Sequence, residues 1–315
     1  MNCPVSHGVN TPVPPPPKGI GLTVTIVICT RKRPAMLREC LEAVSALEPL
    51  PNEVLVVDNS EGCKETESIA RSFSARYTVE KVAGLSRARN RGMVESGTDI
   101  VAFLDDDAMP DRNWLKFLLA PFTFPQVAVV TGQTVFRDAS VDEVSKEQPR
   151  TLTNRNPLWF EIATFGGLGG GRGGGSNMAL RKAACGDGAI FDLRLGRGSP
   201  IRIAEESVAF ALLLARGYEA VHVPAATVAH PRTFQDIELQ ATSSVAYWLL
   251  LFFEFPGHRM DLLRFLLRRL RRKPLTWPRN PQAPGMIITS GWKVHLRAGL
   301  HGSLLFLRCR RPSNS

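Results

Sequence analysis

The chain has 315 residues, 44% of them hydrophobic and 22% charged, and carries a formal net charge of +10. This is a globular composition with material for one large α/β domain and an appendage. Six scattered cysteines without a C-x-x-C pair indicate neither a disulfide framework nor a structural metal, which fits reduced thiols and a cytosolic setting. The positive balance points to anionic partners such as phosphorylated donors, anionic lipid head groups or nucleic acid, without choosing among them.

Residues 1–18 lack a basic segment followed by an apolar core and end in four prolines, Pro14 to Pro17. They read as a disordered, polyproline-like tail over 1–21 and not as a signal peptide. No later stretch supplies the roughly 20 apolar residues of a membrane-spanning helix.

The β-branched run from Leu22 to Thr30 predicts a first strand, followed by Arg31-Lys32-Arg33-Pro34. Proline opens a helix there, with Met36, Leu37, Cys40, Leu41, Val44 and Leu47 at helical spacing. A second strand, Glu53 to Val57, stops at Asp58-Asn59-Ser60, and strand–helix–strand with short joins is a right-handed parallel unit. At that strand end Asp58 either accepts hydrogen bonds from a base or ribose or caps the next helix, expected over 62–76. Val79 and Val82 mark a short strand. Gly84 to Gly92 then opens a helix on which Arg87 and Arg91 share one face, able to brace carboxylates, to bind a diphosphate, or to stand in water. The apolar run Ile100 to Leu104 reads as a buried parallel strand that ends in Asp105-Asp106-Asp107. Acids at the carboxyl edge of such a sheet either hold a divalent cation against a phosphorylated ligand or form an acidic turn before a helix capped at Asp111.

Four segments in order resemble the inverting glycosyltransferases of family 2: C-T-R-x-R-P at Cys29 to Pro34, V-V-D-N-S at Val56 to Ser60, G-L-S-x-A-R-N-x-G at Gly84 to Gly92, and F-L-D-D-D-x-x-P-x-x-x-W-L at Phe103 to Leu115. The resemblance implies a GT-A fold, a Rossmann-like and mainly parallel sheet flanked by helices, over residues 22–234. It implies a D-x-D motif in which Asp105 and Asp107 carry Mn²⁺ or Mg²⁺. It further implies a nucleotide-sugar pocket drawn from Thr30, Arg31, Arg33, Asp58, Arg87, Asn90, Asp105, Asp106 and Asn177.

Beyond the acids, a helix is expected from Asp111 to about Phe122, a strand from Gln126 to Val135, and a loop over 137–157. The glycine tract from Gly166 to Gly175 suits a loop that closes over a donor, because glycine lets backbone approach phosphate and hinge. Gly175 to Arg181 resembles the family's acceptor-side G-x-N-M-A-x-R segment. Glu205-Glu206 opens a helix running to about Arg216. By the family's spacing to Gly217-Tyr218, Glu206 occupies the place of the usual aspartate base, with Glu205 as the reserve; two acids capping a helix are the structural alternative. Short strands are expected over 220–223 and 226–229. The resemblance makes the following His230 a ligand of the metal or the diphosphate.

Residues 235–315 form a basic helical extension, in which apolar residues alternate with seven cations between Arg259 and Lys273. The stretch 245–273 suits either peripheral contact with the inner face of an anionic membrane or packing on the catalytic domain, and nucleic acid is the weaker partner. The expected activity is metal-dependent, inverting transfer of a sugar from a nucleotide-diphosphate sugar to an unknown acceptor hydroxyl. Its rivals are a sugar nucleotidyltransferase and a catalytically impaired scaffold that binds through the basic extension.

Overall fold

The computed structural model describes residues 21–137, 148–165, 175–231, 237–271 and 292–310. Five strands fall where hydrophobic runs end in a polar cluster: β1 (Val24–Thr30), β2 (Glu53–Asp58), β4 (Ile100–Asp105), β6 (Val127–Phe136) and β8 (Asn177–Arg181). The remainder are β3 (Arg76–Val79), the two-residue β5 (Met109–Pro110), β7 (Arg150–Leu152) and β9 (Glu219–His230). They join one sheet in the order β3-β2-β1-β4-β8-β6-β9-β5, with β7 paired to β9. The pairs β3-β2, β2-β1, β1-β4 and β6-β9 are parallel, and β8 runs antiparallel between the halves.

Both faces of the central strands are buried. Alternation sends Val27, Val101 and Phe103 to one apolar layer and Ile26, Ile28, Ala102 and Leu104 to the other. The second layer is closed by α1 (Pro34–Ser45), α2 (Lys64–Ser72) and α4 (Trp114–Leu119). The first is closed by α3 (Leu85–Glu95), α5 (Trp159–Thr164), α6 (Glu205–Ala215), α7 (Ile237–Glu254), α8 (Arg259–Arg271) and α9 (Trp292–Arg310). Helix α3 lies so close to β1 that a Cβ on Gly92 would stand 2.4 Å from a Val27 methyl.

Several elements differ from expectation. The two short strands before His230 are one strand, and Pro224 lies in a register irregularity opposite Gly132 and Gln133 that the sequence pattern reads as a break. The helix after the acids starts only at Trp114 and tightens into a 3-10 turn at Ala120–Thr123. The Asp111 carboxylate accepts from the Asn113 N–H (3.0 Å) inside the preceding turn. Strand β3 ends at Val79 rather than continuing to Val82, and β7 forms within the stretch expected to be loop. The glycine tract lies outside the described residues up to Gly174.

The basic extension divides. Helix α7 turns Ala246, Tyr247, Leu250 and Leu251 into the core and leaves Phe253 exposed. Gly302 of α9 meets Val245 and the Thr242 carbonyl at a spacing no side chain would permit. No helix among the described residues is long and apolar enough to cross a membrane.

Candidate active site

Parallel pairing levels the carboxyl ends of three neighbouring strands, setting Thr30 beside Asp58 and Cys29 beside Asp105. Strand β9 delivers His230 to the same edge through its pairing with β6 and β5. His230 Nε2 stands 2.9 Å from Asp107 Oδ1 and 3.5 Å from Asp105 Oδ2. Burial opposes protonation of this imidazole, but the two carboxylates outweigh it and hold its pKa up at about 10. In turn, burial would raise Asp107, yet His230 and Arg33 bring it down to about 2.

One ligand atom from each of Asp105, Asp107 and His230 lies within 4.8 Å of the other two. His230 Nδ1 sits 2.7 Å from the Pro231 carbonyl, so in the neutral ring that nitrogen carries the proton and Nε2 offers its lone pair toward the acids. Two carboxylates and an imidazole converging in this way fit a divalent cation such as Mn²⁺.

Asp106, between them, does something else. It is fully buried, accepts from the Thr30 hydroxyl (2.7 Å) and is gripped by the Arg33 guanidinium, which also reaches Asp107 at 2.9 Å. Burial pushes its carboxyl up to about 6 despite the Thr30 bond. Asp106 and Thr30 therefore brace the loop after β1 against the loop after β4.

The chain between β1 and α1 is strained to reach this position: Lys32 adopts φ 55°. Ala204, immediately before Glu205, adopts φ 67°. Such left-handed conformations on either side of the acids aim Arg33 and the start of α6 inward.

The pair of glutamates separates by environment. Glu205 is buried and accepts from Arg89 at 2.7 Å. Glu206 is partly exposed, and burial together with the neighbouring Glu205 charge raises its pKa to about 7 against the opposing pull of Arg89. Arg89 also reaches Asp105 Oδ1 at 3.4 Å and the Gly175 carbonyl at 2.7 Å. One buried guanidinium thus links Glu205, Asp105 and the chain leaving the glycine tract. Arg89 was not among the expected site residues, which on α3 were Arg87 and Asn90. The signal was there, since Arg89 shares the inward face of α3 with Ala88, Gly92 and Met93, an unusual place for a charge. Arg87 is partly exposed and Arg91 is held by Glu95 at 2.6 Å.

Besides Thr30 and Asp106, three more expected donor-binding side chains bond within the fold. Asp58 accepts from Ser60, the Cys63 N–H and the Tyr77 hydroxyl, the second of these at the start of α2. Asn90 exchanges two hydrogen bonds with the Phe191 backbone. Asn177 is fully buried, accepts from the Trp114 indole and donates to the Gln133 and Ala226 carbonyls. An Asx residue at a strand end serves the fold and a ligand equally well in sequence; in the structure these three meet the protein's own backbone and side-chain groups. Arg31 remains exposed at the edge.

Residues 25–187, just over half of the chain, match the family Glycosyl transferase family 2. The chain belongs to this family. A pre-mycofactocin glycosyltransferase of Mycobacterium tuberculosis is 35% identical over 129 residues, 39% of this chain and 26% of that protein. Glycosyltransferase AglE of Haloferax volcanii is 34% identical over 124 residues, 36% of this chain and 40% of that protein. The matched part therefore spans a quarter to two-fifths of these relatives. Among solved structures, the mannosyltransferase PcManGT of Pyrobaculum calidifontis, in complex with GDP-Man and Mn²⁺, superposes with a TM-score of 0.56 at 16% identity, covering 94% of this chain and 92% of that one. That likeness shows the fold, a GT-A arrangement of a central sheet flanked by helices.

Proposed function

We propose that this family 2 protein transfers a sugar from a nucleotide-diphosphate sugar to an acceptor hydroxyl with inversion at the anomeric carbon. The observation that carries this reading is the convergence of Asp105, Asp107 and His230 at the strand ends, joined through Arg89 to Glu205 at the start of α6. Asp105, Asp107 and His230 would hold Mn²⁺ or Mg²⁺. A cation there supplies charge neutralisation for a departing diphosphate. PcManGT, solved with GDP-Man and Mn²⁺, favours the same donor class for this chain.

The remaining roles belong to the protein's own groups. The exposed Arg31 and the partly exposed Arg87 stand at the same edge, with charge suited to phosphate oxygens. Glu206, held near neutrality, accepts the proton of the acceptor hydroxyl as its oxygen attacks. Glu205 is not the base in this scheme, because it is buried and its carboxylate is engaged by the Arg89 guanidinium at 2.7 Å. Its charge instead raises the proton affinity of Glu206. One displacement from the face opposite the diphosphate inverts the centre and needs no covalent intermediate.

A panel of UDP-, GDP- and TDP-sugars with Mn²⁺, assayed for free nucleoside diphosphate and for the anomeric configuration of the product, tests the proposal. Release by the wild-type chain that stops in Asp107→Ala and in Glu206→Gln supports it. Pyrophosphate as the product, a retained configuration, or unchanged turnover in both variants would overturn it.

A further inference from the structure

We infer that the outward face of α8 docks on an anionic membrane surface. The helix carries two apolar faces. One holds it to the domain, with Leu262 buried and the Phe265 ring stacked on Phe165 at 4.2 Å. The other projects Met260, Leu263, Leu266 and Leu267 into solvent, at 58%, 41%, 41% and 53% exposure. Their spacing of three and four residues makes these side chains one continuous stripe. A water-facing helix surface has no use for such a stripe, and apolar ground of this kind, edged with charge, marks a contact site.

The charge around it names the occupant. Positions 264, 268 and 271 recur along one flank of α8, and all three are arginine. Arg264 is 64% exposed and its nearest acid is Asp261, at 3.5 Å. Asp261 is the one acid between Arg259 and Lys273, and His258 Nδ1 meets it at 3.0 Å. A helix with leucines on its outer face and cations beside them matches the boundary between acyl chains and anionic head groups, whereas an acidic protein surface would leave the leucines unused. The helix is too short and too charged to cross, so the contact is peripheral.

The position gives the contact a consequence. Phe165, under Phe265, is followed by nine residues and then by Gly175, whose carbonyl Arg89 holds in the site. The Tyr247 hydroxyl donates to the Thr164 carbonyl one residue earlier. A docked α8 therefore sets Phe165, the residue before the glycine tract, about one helix width from the bilayer.

The test is sedimentation of the full chain with vesicles of phosphatidylcholine alone and with about one third phosphatidylglycerol. The expected result is capture by the anionic vesicles only, weakening as salt rises, and a loss of about tenfold or more in the variant Met260→Gln/Leu263→Gln/Leu267→Gln. That variant should keep its melting midpoint, since the replaced side chains face solvent. If its midpoint falls, Arg264→Glu, a surface change, takes its place and should weaken capture. Absence of capture by anionic vesicles, equal capture by neutral ones, or variants that bind as well as wild type would overturn the inference. So would a dimer of the full chain that the triple variant dissolves, which would make the stripe a contact between copies.

Discussion

Glu205 and Glu206 are identical in chemistry and adjacent in sequence, and their different partners alone divide their roles. Glu206 has its pKa raised from 4.5 to about 7, chiefly by burial and then by the Glu205 charge. As a base it must be unprotonated, so kcat/KM should climb as pH rises through about 7 and level above it. Glu206→Gln should remove that limb and cost about 10²–10⁴ in rate. The same shift predicts a stability effect of opposite sense. Between the two values the folded state binds more protons than the unfolded one, so this group's contribution falls as pH rises through that window. Glu206→Gln should thus gain stability relative to wild type at pH above about 7 and not below about 4.5, read by urea midpoints at both ends. Arg89 makes the contrasting case. Arg89→Met would leave Glu205 buried without its partner, and a loss of about 3–5 kcal/mol in unfolding free energy is expected, with turnover lost in the folded remainder. At this scale the sequence tells which residue types gather at the edge. Asp58, Asn90 and Asn177 show what it withholds, namely the direction in which a short polar side chain spends its hydrogen bonds.

Among the elements, those that were legible share one physical property. β1, β2 and β4 are buried on both faces, so their hydrophobic runs are unbroken and end abruptly where the edge meets water. The acids that close β4 are visible for the same reason. β9 was misread because a proline interrupts its pattern, although the strand passes it by a register shift against β6. The loop assigned over 137–157 hid β7, whose three residues carry too little pattern to stand out. The amphipathic pattern of α8 is legible in the sequence, whereas the turning of Tyr247, Leu250 and Leu251 of α7 into the core shows only in the packing. Close approach is equally invisible in a sequence. A Cβ on Gly132 would stand 2.0 Å from the Ala226 carbonyl and 2.5 Å from the Asn177 amide. Gly132→Ala should therefore force β6 from β9 and break the clasp that Asn177 makes with both, lowering stability by about 1–3 kcal/mol or more in chemical denaturation. Asn177→Ala should cost a similar amount, since it orphans the Trp114 indole N–H and two buried carbonyls. Donor KM in its folded fraction should stay near wild type, which a sugar-binding role would not allow.

Taken as a molecule, the chain divides its sheet into a parallel half that carries Asp105 and Asp107 and a second half that carries His230 and, through α6, Glu205 and Glu206. Arg33 leans on Asp106 and Asp107 within the parallel half, while across the seam His230 meets Asp105 and Asp107 and Arg89 joins Asp105 to Glu205. A divalent cation with a nucleoside diphosphate would add ligand bonds to groups from both halves, and these exist only in the folded state. Binding should then stabilise the whole chain cooperatively and not one lobe of it, by about 2.7 kcal/mol at a hundredfold excess over Kd. The expected observation is a single thermal transition that moves up by several degrees with Mn²⁺ and the matching diphosphate together, and by less with either alone. Chelation should return it to the starting midpoint. Asp107→Asn should blunt the shift while leaving the unliganded midpoint within a few degrees of wild type, because Arg33 retains Asp106. Two separate transitions, or a shift that survives both chelation and Asp107→Asn, would mean that the ligand sits elsewhere than across the seam.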